Sequence, residues 1–381
     1  MNFLIVDLNI QFDGHKFGFV QETLNWIVKN QEHKFHFLVN QKLEVPVLSN
    51  VKVEVLSKVK EQFFNAKSPI QKFKEQWNFI KLKAHQFNAE KVILMEFDIY
   101  QMAIGKDKNT NLDISGIWFR PYHRQVSINE SLVEELKFYI SHLRKKLAFN
   151  FALRNKNLKK VFVLNDKQTV NVLNEKFGDR LFYLPDPVFE IAQDSSIDIH
   201  SKYNIKSQQI IFLLFGYIDQ RKNVLNIIEA LRNLPPQFKS KVSLLIIGKM
   251  SSHYNELLNN LNEDLNLQII KNNDFVSDSE MNTLFKESDL ILRMNINFFA
   301  SSGILGMAAK HNKPSIVSNY GVVADLTQEY KLGKIVDPMN TNSLTILFQD
   351  FIENQKAWKI DGQPYYHDHN TDAFVGTLLG I

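Results

Sequence analysis

The sequence predicts two doubly wound α/β domains, and three observations carry that expectation. Short apolar runs alternate with helix-period stretches along the chain, the pattern of parallel sheets covered by helices. The alternation then breaks and restarts: Pro185-Asp186-Pro187 interrupts it, and the polar stretch from Gln193 to Ser207 reads as a linker. Finally, 381 residues exceed one ordinary core and suit two or three domains of roughly 150 residues each.

In the first half, strands are expected at Phe3–Asp7, Lys34–Val39, Val51–Leu56, Lys91–Phe97, Gly116–Phe119, Lys160–Leu164 and Leu181–Leu184. Each is a short, β-branched or aromatic run bounded by turn residues. Helices are expected at Phe19–Lys29, at Pro69–Phe87 and over much of Glu130–Arg154, where apolar residues recur at helical spacing. In the second half, strands at Gln209–Phe215, Val242–Ile247, Leu267–Ile270, Asp289–Leu292 and Ser315–Ser318 alternate with helices at Val224–Leu231, Tyr254–Leu261, Met281–Lys286 and Gly303–Lys310. The domains are drawn at 1–190 and 191–360, with a tail at 361–381 that packs back on the first. Both halves open with a strand, a glycine-containing turn and a helix, so a ligand cleft is expected beyond the carboxyl ends of the strands.

Composition narrows the classes. With 44% hydrophobic and 23% charged residues the chain is globular rather than disordered or fibrous. Zero cysteines exclude disulfides, thiolate catalysis and Cys-zinc sites, and suit a reducing cytoplasm. The net charge of +4 is a composite: residues 1–190 hold 28 Lys plus Arg against 21 Asp plus Glu (+7), and residues 191–381 hold 17 against 20 (−3). No nucleic-acid recognition motif accompanies that excess, so no nucleic-acid partner is expected. Met1–Ile10 reads as a buried strand rather than a signal peptide, and the later run Ile210–Phe215 is far short of the ~20 residues that span a bilayer.

The sharpest chemical signal lies in the second half. Gly216 directly follows a strand, and Arg221-Lys222 comes five residues later at the start of a helix. A glycine admits a ligand to the backbone, and paired cations at a helix N-terminus suit a phosphate. The same residues also fit a surface turn with two solvated cations. Ser301-Ser302-Gly303 precedes a second helix, where serine hydroxyls can cap the helix and its free N–H groups suit an anion. Two such sites suggest a diphosphate held between them, or else two ordinary capped helices.

At these residues the chain resembles the nucleotide-sugar-binding domain of a GT-B glycosyltransferase, closest to glycosyltransferase family 4. The matching segments run in order from Phe215–Leu231 (FGYIDQRKNVLNIIEAL) through Val242–Lys249 and Phe275–Leu292 to Ser301–Leu326 and Leu332–Leu344. The resemblance implies a GT-B architecture, two Rossmann-like domains facing a central cleft, and transfer of a sugar from a nucleotide-diphosphate donor. It implies that Gly216, Arg221 and Lys222 hold the diphosphate, with Ser301, Ser302 and Gly303 opposite. It places the Phe275-Val276 backbone against the base. No Asp-x-Asp occurs, and cations can stabilise the leaving diphosphate, so no metal or other cofactor is expected. Two departures are plain. The family's E-x7-E pair is absent, with Phe298 or Phe299 and Gly306 or Met307 standing nearest. The arginine usual after the strand glycine is Tyr217, for which Arg221 or Arg293 can substitute electrostatically.

In the first domain, Gly14, His15 and Gly18 are expected in the loop after strand one, near donor phosphate and acceptor by the same resemblance. Arg120 and His123 follow the strand ending at Phe119, where His123 suits a hydroxyl and Arg120 a phosphate, or both lie in an exposed strand-end cluster. His367-Asp368-His369 has a metal-like look but no third ligand nearby. Two basic helices carry interleaved aromatics: Lys72, Lys74, Lys81 and Lys83 with Phe73, Trp77 and Phe79, and Lys137, Arg144, Lys145 and Lys146 with Phe138, Tyr139 and Leu143. These suit either an anionic membrane surface or a solvated face over an apolar core.

The resulting expectation is a metal-independent, retaining glycosyltransferase of bacterial surface-glycan assembly, acting in the cytoplasm or at the inner face of the membrane. Its expected partners are a nucleotide-sugar donor and a glycan or lipid-linked acceptor. Two alternatives stand beside it: a catalytically inactive GT-B protein that binds a glycan, nucleotide or partner, and a nucleotide-sugar isomerase of similar architecture.

Overall fold

The computed structural model describes residues 1–10, 15–29, 32–44, 48–107, 111–127, 132–191, 197–261 and 266–381. They form two compact units, Met1–Pro187 with Thr371–Ile381, and Val188–Asn370.

The first unit runs β1 (Asn2–Asp7), α1 (His15–Lys29), β2 (Lys34–Val39), β3 (Val51–Val55), α2 (Lys58–Asn65), α3 (Pro69–Phe87), β4 (Lys91–Leu94), α4 (Gln101–Lys106), β5 (Asp113–Trp118), α5 (Leu132–Ala152), β6 (Leu158–Leu164), α6 (Lys167–Phe177) and β7 (Leu181–Leu184). Its strands are all parallel, in the order β3-β2-β1-β4-β5-β6-β7. A parallel strand covered on both faces must be apolar on both. Accordingly Phe3 through Val6 of β1 are all buried. The helix termini follow local chemistry: Pro69 opens α3 and Asn88, at φ 51°, closes it. The Asp166 carboxylate caps α6 through Thr169 N.

The second unit runs α7 (Ile199–Lys202), β8 (Ile210–Phe215), a 3₁₀ turn (Gln220–Lys222), α8 (Val224–Arg232), α9 (Pro236–Lys239), β9 (Val242–Ile247), α10 (Ser252–Asn259), β10 (Gln268–Asn272), α11 (Asp278–Glu287), β11 (Leu290–Arg293), α12 (Gly303–Lys310), β12 (Ser315–Ser318), α13 (Gly321–Glu329), β13 (Gly333–Val336), α14 (Thr341–Glu353) and α15 (Gln363–Asp368). Its order is β10-β9-β8-β11-β12-β13, again parallel. The strand period sorts one run into two cores: Phe212 and Leu214 pack with Phe348 and Phe351, while Ile211 and Leu213 pack with Leu305 and Tyr365.

Three expectations about organisation need correction. The polar stretch Gln193–Ser207 is no free linker. Residues 192–196 lie outside the described residues, but Ile199, Tyr203 and Ile205 are buried in the second unit's core, and the Tyr203 hydroxyl donates to Glu280 Oε1 at 2.6 Å. The returning tail begins at Thr371 rather than 361, because Tyr365 on α15 belongs to the second core and Gly362 fits against Ala309, where a Cβ would stand 1.9 Å from its carbonyl oxygen. From there α16 (Thr371–Leu379) packs on α1, with Phe374 stacked on Phe19 at 5.1 Å and Trp26 donating to Asp372 at 2.7 Å. Lastly, His15 and Gly18 lie within α1 rather than in a loop, because the helix starts at His15. Gly14 lies outside the described residues.

Candidate functional site

In an open parallel sheet the ligand crevice forms where strand order reverses, beyond the carboxyl ends of the strands. In the second unit that reversal lies between β8 and β11, which pair through Leu290–Phe212 and Ile291–Leu213. Gly216 directly follows β8 and Arg293 closes β11, so two of the expected donor residues stand at neighbouring strand ends. Arg293 is thus the last residue of the strand, one position short of the expected loop.

Gly216 adopts φ +107°, a region that favours glycine, and a Cβ there would stand 3.2 Å from the Lys222 ammonium. Lys222 is buried in the 3₁₀ turn and donates to the Phe215 carbonyl at 2.5 Å. Among the described residues no carboxylate lies within ion-pair distance of it. Burial pushes its pKa down to about 7, with Arg293 and Arg221 acting in the same direction and Asp219 opposing them. Arg221 differs. Its guanidinium is half-exposed and grips Asp219 through Nε at 2.8 Å and Nη2 at 2.7 Å. Its carbonyl accepts from Ile296 N at 2.8 Å, which ties the turn to the loop after β11.

Arg293 is buried as well. Its Nε donates to Ser302 Oγ at 2.7 Å, and its guanidinium lies 4.7 Å from the Phe298 ring centroid. Burial first, and Arg221 second, hold its pKa down at about 9, so it stays charged near neutrality. This overturns one expectation: Ser302 occupies the N-cap position of α12, yet its hydroxyl makes no cap hydrogen bond to the helix. Arg293 takes that oxygen instead. Ser301 precedes it, and Gly303 begins the helix directly above the guanidinium's partner.

Phe275 and Val276 stand at a third strand end. They follow β10, whose end meets the turn after Gly216 through Gly248: Gly248 N donates to Asn272 O at 3.0 Å, and a Cβ on Gly248 would stand 2.3 Å from Gly216 O; Phe275 is exposed, and the Val276 side chain is buried in the core. Sequence reasoning missed four residues that build the same crevice. Asp219 neutralises Arg221. Tyr320 donates to the Asn295 carbonyl at 3.0 Å and accepts from Asn297 N at 3.2 Å, while Ser318 Oγ donates to the same Asn295 carbonyl at 2.6 Å. Asn295 is buried, and its Oδ1 has no partner among the described residues. The signal for these was available, since Ser318–Gly321 repeats the strand-then-glycine-turn pattern of Gly216.

The first unit keeps Arg120 and His123 at a strand end. Asp98 accepts from Phe119 N at 2.9 Å and Arg120 N at 3.0 Å, which fixes the turn. Burial raises the Asp98 pKa to about 6, with Glu96 acting the same way. The Arg120 side chain is exposed, 4.0 Å from Glu96, whereas Arg124 is anchored to Asp166 at 2.8 Å. His123 is half-buried, with no hydrogen-bond partner among the described residues. A cavity of ≈ 280 Å³ opens at the carboxyl ends of β1 and β2, lined by Asn9, Asn40, Gln41, Glu61, Lys72 and Gln76, none of which but Lys72 the sequence singled out. His369 stacks on Tyr365 at 3.9 Å and contacts its carbonyl through Nδ1 at 2.8 Å, while Asp368 accepts from Tyr330 at 2.8 Å.

Two parallel Rossmann sheets in series, with the buried cations Lys222 and Arg293 at the switch point of the second, are the architecture of the GT-B class of folds. Residues 195–361, most of the second unit, match the family model of the glycosyl transferases group 1, and this is the family that unit is similar to. Solved structures agree over the whole chain. WaaG, a glycosyltransferase involved in lipopolysaccharide biosynthesis, is 18% identical with a TM-score of 0.63, covering 100% of this chain and 98% of its own. A glycosyltransferase from Rickettsia africae is 18% identical with a TM-score of 0.66, covering 100% and 97%. Anabaena HepE, solved with UDP-glucose, is 11% identical with a TM-score of 0.65, covering 100% and 98%. At these identities the likeness is one of fold. No curated protein matches the chain by sequence.

At Gly306, one of the two positions nearest the second family carboxylate (the other is Met307), the structure leaves no room for a side chain. A Cβ at Gly306 would stand 2.6 Å from Val188 Cγ2, with Tyr365 also in contact distance at 3.6 Å. Gly306→Glu is therefore expected to destabilise the protein by about 2–4 kcal/mol, through overpacking and an unpaired buried carboxyl, and to restore no activity. Thermal denaturation checks this; an unchanged melting temperature would mean that the helix face opens to solvent.

Proposed function

We propose that the protein transfers a sugar from a nucleotide-diphosphate donor to a glycan or lipid-linked acceptor, in bacterial surface-polysaccharide or glycoconjugate synthesis. The observation that carries this reading is the pair Lys222 and Arg293, two buried cations at the switch point, neither of which forms an ion pair with a carboxylate among the described residues. Burying unpaired charge is costly unless a ligand supplies the counter-charge. A diphosphate does so twice over. In this reading Gly216 lets it approach the backbone, while Lys222 and Arg293 hold it, with Arg221 at the rim. The start of α12 at Ser301, Ser302 and Gly303 lends its N–H groups.

As the glycosidic bond breaks, negative charge grows on the departing diphosphate, and the two cations stabilise that charge in a dry site. The cations perform the task a metal serves elsewhere, so the reaction is metal-independent. The resemblance to family 4 supports retention of anomeric configuration. The acceptor side falls to the first unit, where Arg120, His123, His15, Gly14 and Gly18 are the candidates and the amide-lined cavity suits hydroxyl groups. The chain works in the cytoplasm against the inner face of an anionic membrane.

A screen of nucleotide-sugars by calorimetry, followed by product analysis, tests the proposal. One donor is expected to bind and turn over equally well with and without excess EDTA. Loss of turnover on chelation would overturn the metal-independent reading. The two absent carboxylates favour a second reading, a binding module; it predicts the same binding with neither transfer nor donor hydrolysis.

A further inference from the structure

Helix α5 spans 21 residues, the longest among the described residues, and only one side of it meets the first unit's core. On that side Phe149 stacks on Trp118 at 4.1 Å, and Ala152 is buried beside it. The opposite side is unusual for a solvated helix. At 100° per residue, Leu132, Val133, Leu136, Ile140, Leu143 and Leu147 fall within one arc of about 120°. All six are exposed, from 44% at Ile140 to 83% at Leu132. Tyr139, also exposed, borders the arc with its hydroxyl-bearing ring.

The charges are placed to match. Lys137 and Arg144 line one border of the arc and Lys146 the other; Glu134 and Glu135 lie in the first turn, Glu135 on the Lys146 border, and no acidic residue follows from Leu136 to Ala152. An aliphatic stripe alone would suit any apolar partner, but three bordering cations against the single bordering acid Glu135 select an anionic one. With so many charges the helix does not qualify as a membrane span, and among the described residues no helix is long and apolar enough to be one. The other basic helix, α3, lacks such a face. Its Trp77 is buried and donates to Asp107, Phe73 and Phe79 pack on the core, and Lys81 and Lys83 are paired with Asp107 and Glu54.

We propose that the outer stripe of α5 is a membrane-docking face. The helix lies in the plane of an anionic phospholipid surface, its aliphatic side chains sink into the headgroup–acyl boundary, and Lys137, Arg144 and Lys146 meet lipid phosphates. From Leu132 to Leu147 the seated length is about 22 Å. This refines the membrane-facing reading proposed above and names the surface that performs it.

Co-sedimentation of the full chain with vesicles tests it. Wild type is expected to partition at least tenfold better onto phosphatidylcholine vesicles carrying about 30% phosphatidylglycerol than onto phosphatidylcholine alone. The triple substitution Leu136→Ser, Leu143→Ser and Leu147→Ser is expected to lower binding to the anionic vesicles at least tenfold, with unchanged circular dichroism. Lys137→Gln with Arg144→Gln should remove the preference for the anionic lipid. Donor binding, measured on the same preparations, should not change in any variant, so failure of docking is distinguishable from failure of the proposed reaction. Wild type that ignores the anionic vesicles, or a triple variant that binds them as well as wild type, would overturn the proposal. So would a dimer that the triple substitution splits, without vesicle binding by wild type, since the stripe would then belong to a second copy.

Discussion

Replacing Lys222 with methionine is expected to lower kcat/KM for the nucleotide-sugar about 10²–10³-fold, a loss of roughly 3–4 kcal/mol of transition-state stabilisation. Methionine keeps much of the buried stem and removes only the ammonium. In the free protein that ammonium is a burden: its sole hydrogen-bond acceptor among the described residues is the Phe215 carbonyl, and two guanidinium groups repel it. The variant should therefore gain thermal stability while it loses function. The pH dependence follows from a folded pKa of about 7, below the ordinary lysine value of 10.5. Between these the unfolded chain binds a proton that the folded one does not, so this group makes stability rise with pH over that window. Donor affinity moves oppositely, because the diphosphate needs the protonated amine: it weakens above pH 7 in wild type. Lys222→Arg keeps its charge and should flatten that profile, which isothermal titration across pH would reveal.

Arg293→Met is expected to cost as much, about 10²-fold or more in kcat/KM, for a partly different reason. It removes the second cation and also frees Ser302, whose hydroxyl Arg293 holds at 2.7 Å. Arg293→Lys should not rescue it, because an ammonium lacks the planar fork that reaches Ser302 while lying over the Phe298 ring. A merely structural role for Arg293 would not touch Lys222. The proposed one does: after burial, Arg293 is the strongest influence depressing the Lys222 pKa, so its removal should shift the break in the donor-affinity profile upward from pH 7. Because the two cations serve one diphosphate, the double variant should lose less than the sum of the single losses. Full additivity would place them in separate sites.

Much of this architecture is legible in the sequence because parallel strands are short, doubly buried and apolar throughout. Val242–Ile247 and Ser315–Ser318 are helix-flanked runs that admit one interpretation, and the structure keeps those bounds. Helices α2 and α4 escaped notice because they are short, with 8 and 6 residues, and α2 buries Phe64 alone; α6 escaped because Thr169 is one of only three residues it buries, which blurs its apolar face. The site divides in the same way. Gly216, Arg221 and Lys222 stand together in the chain, so local pattern finds them. What makes Lys222 differ from Arg221 is not local to the pattern: burial of the one, and the Asp219 clasp on the other. The bond between Arg293 and Ser302 joins a strand end to a helix start nine residues on, and only the fold brings them together. The α5 stripe was half legible, since its cations and Leu143 stood out in the sequence, but exposure rather than composition separates it from the equally basic α3.

The most direct measurement is a thermal-shift and calorimetric titration of wild type and Lys222→Met with a panel of nucleoside diphosphates and their sugars. Wild type should be stabilised by at least one of them, by roughly 2–3 kcal/mol at a hundredfold excess over Kd, and Lys222→Met by none at that concentration. Wild type that no nucleoside diphosphate stabilises, or a Lys222→Met variant that binds as tightly as wild type, would contradict the assignment of a diphosphate to these two buried cations.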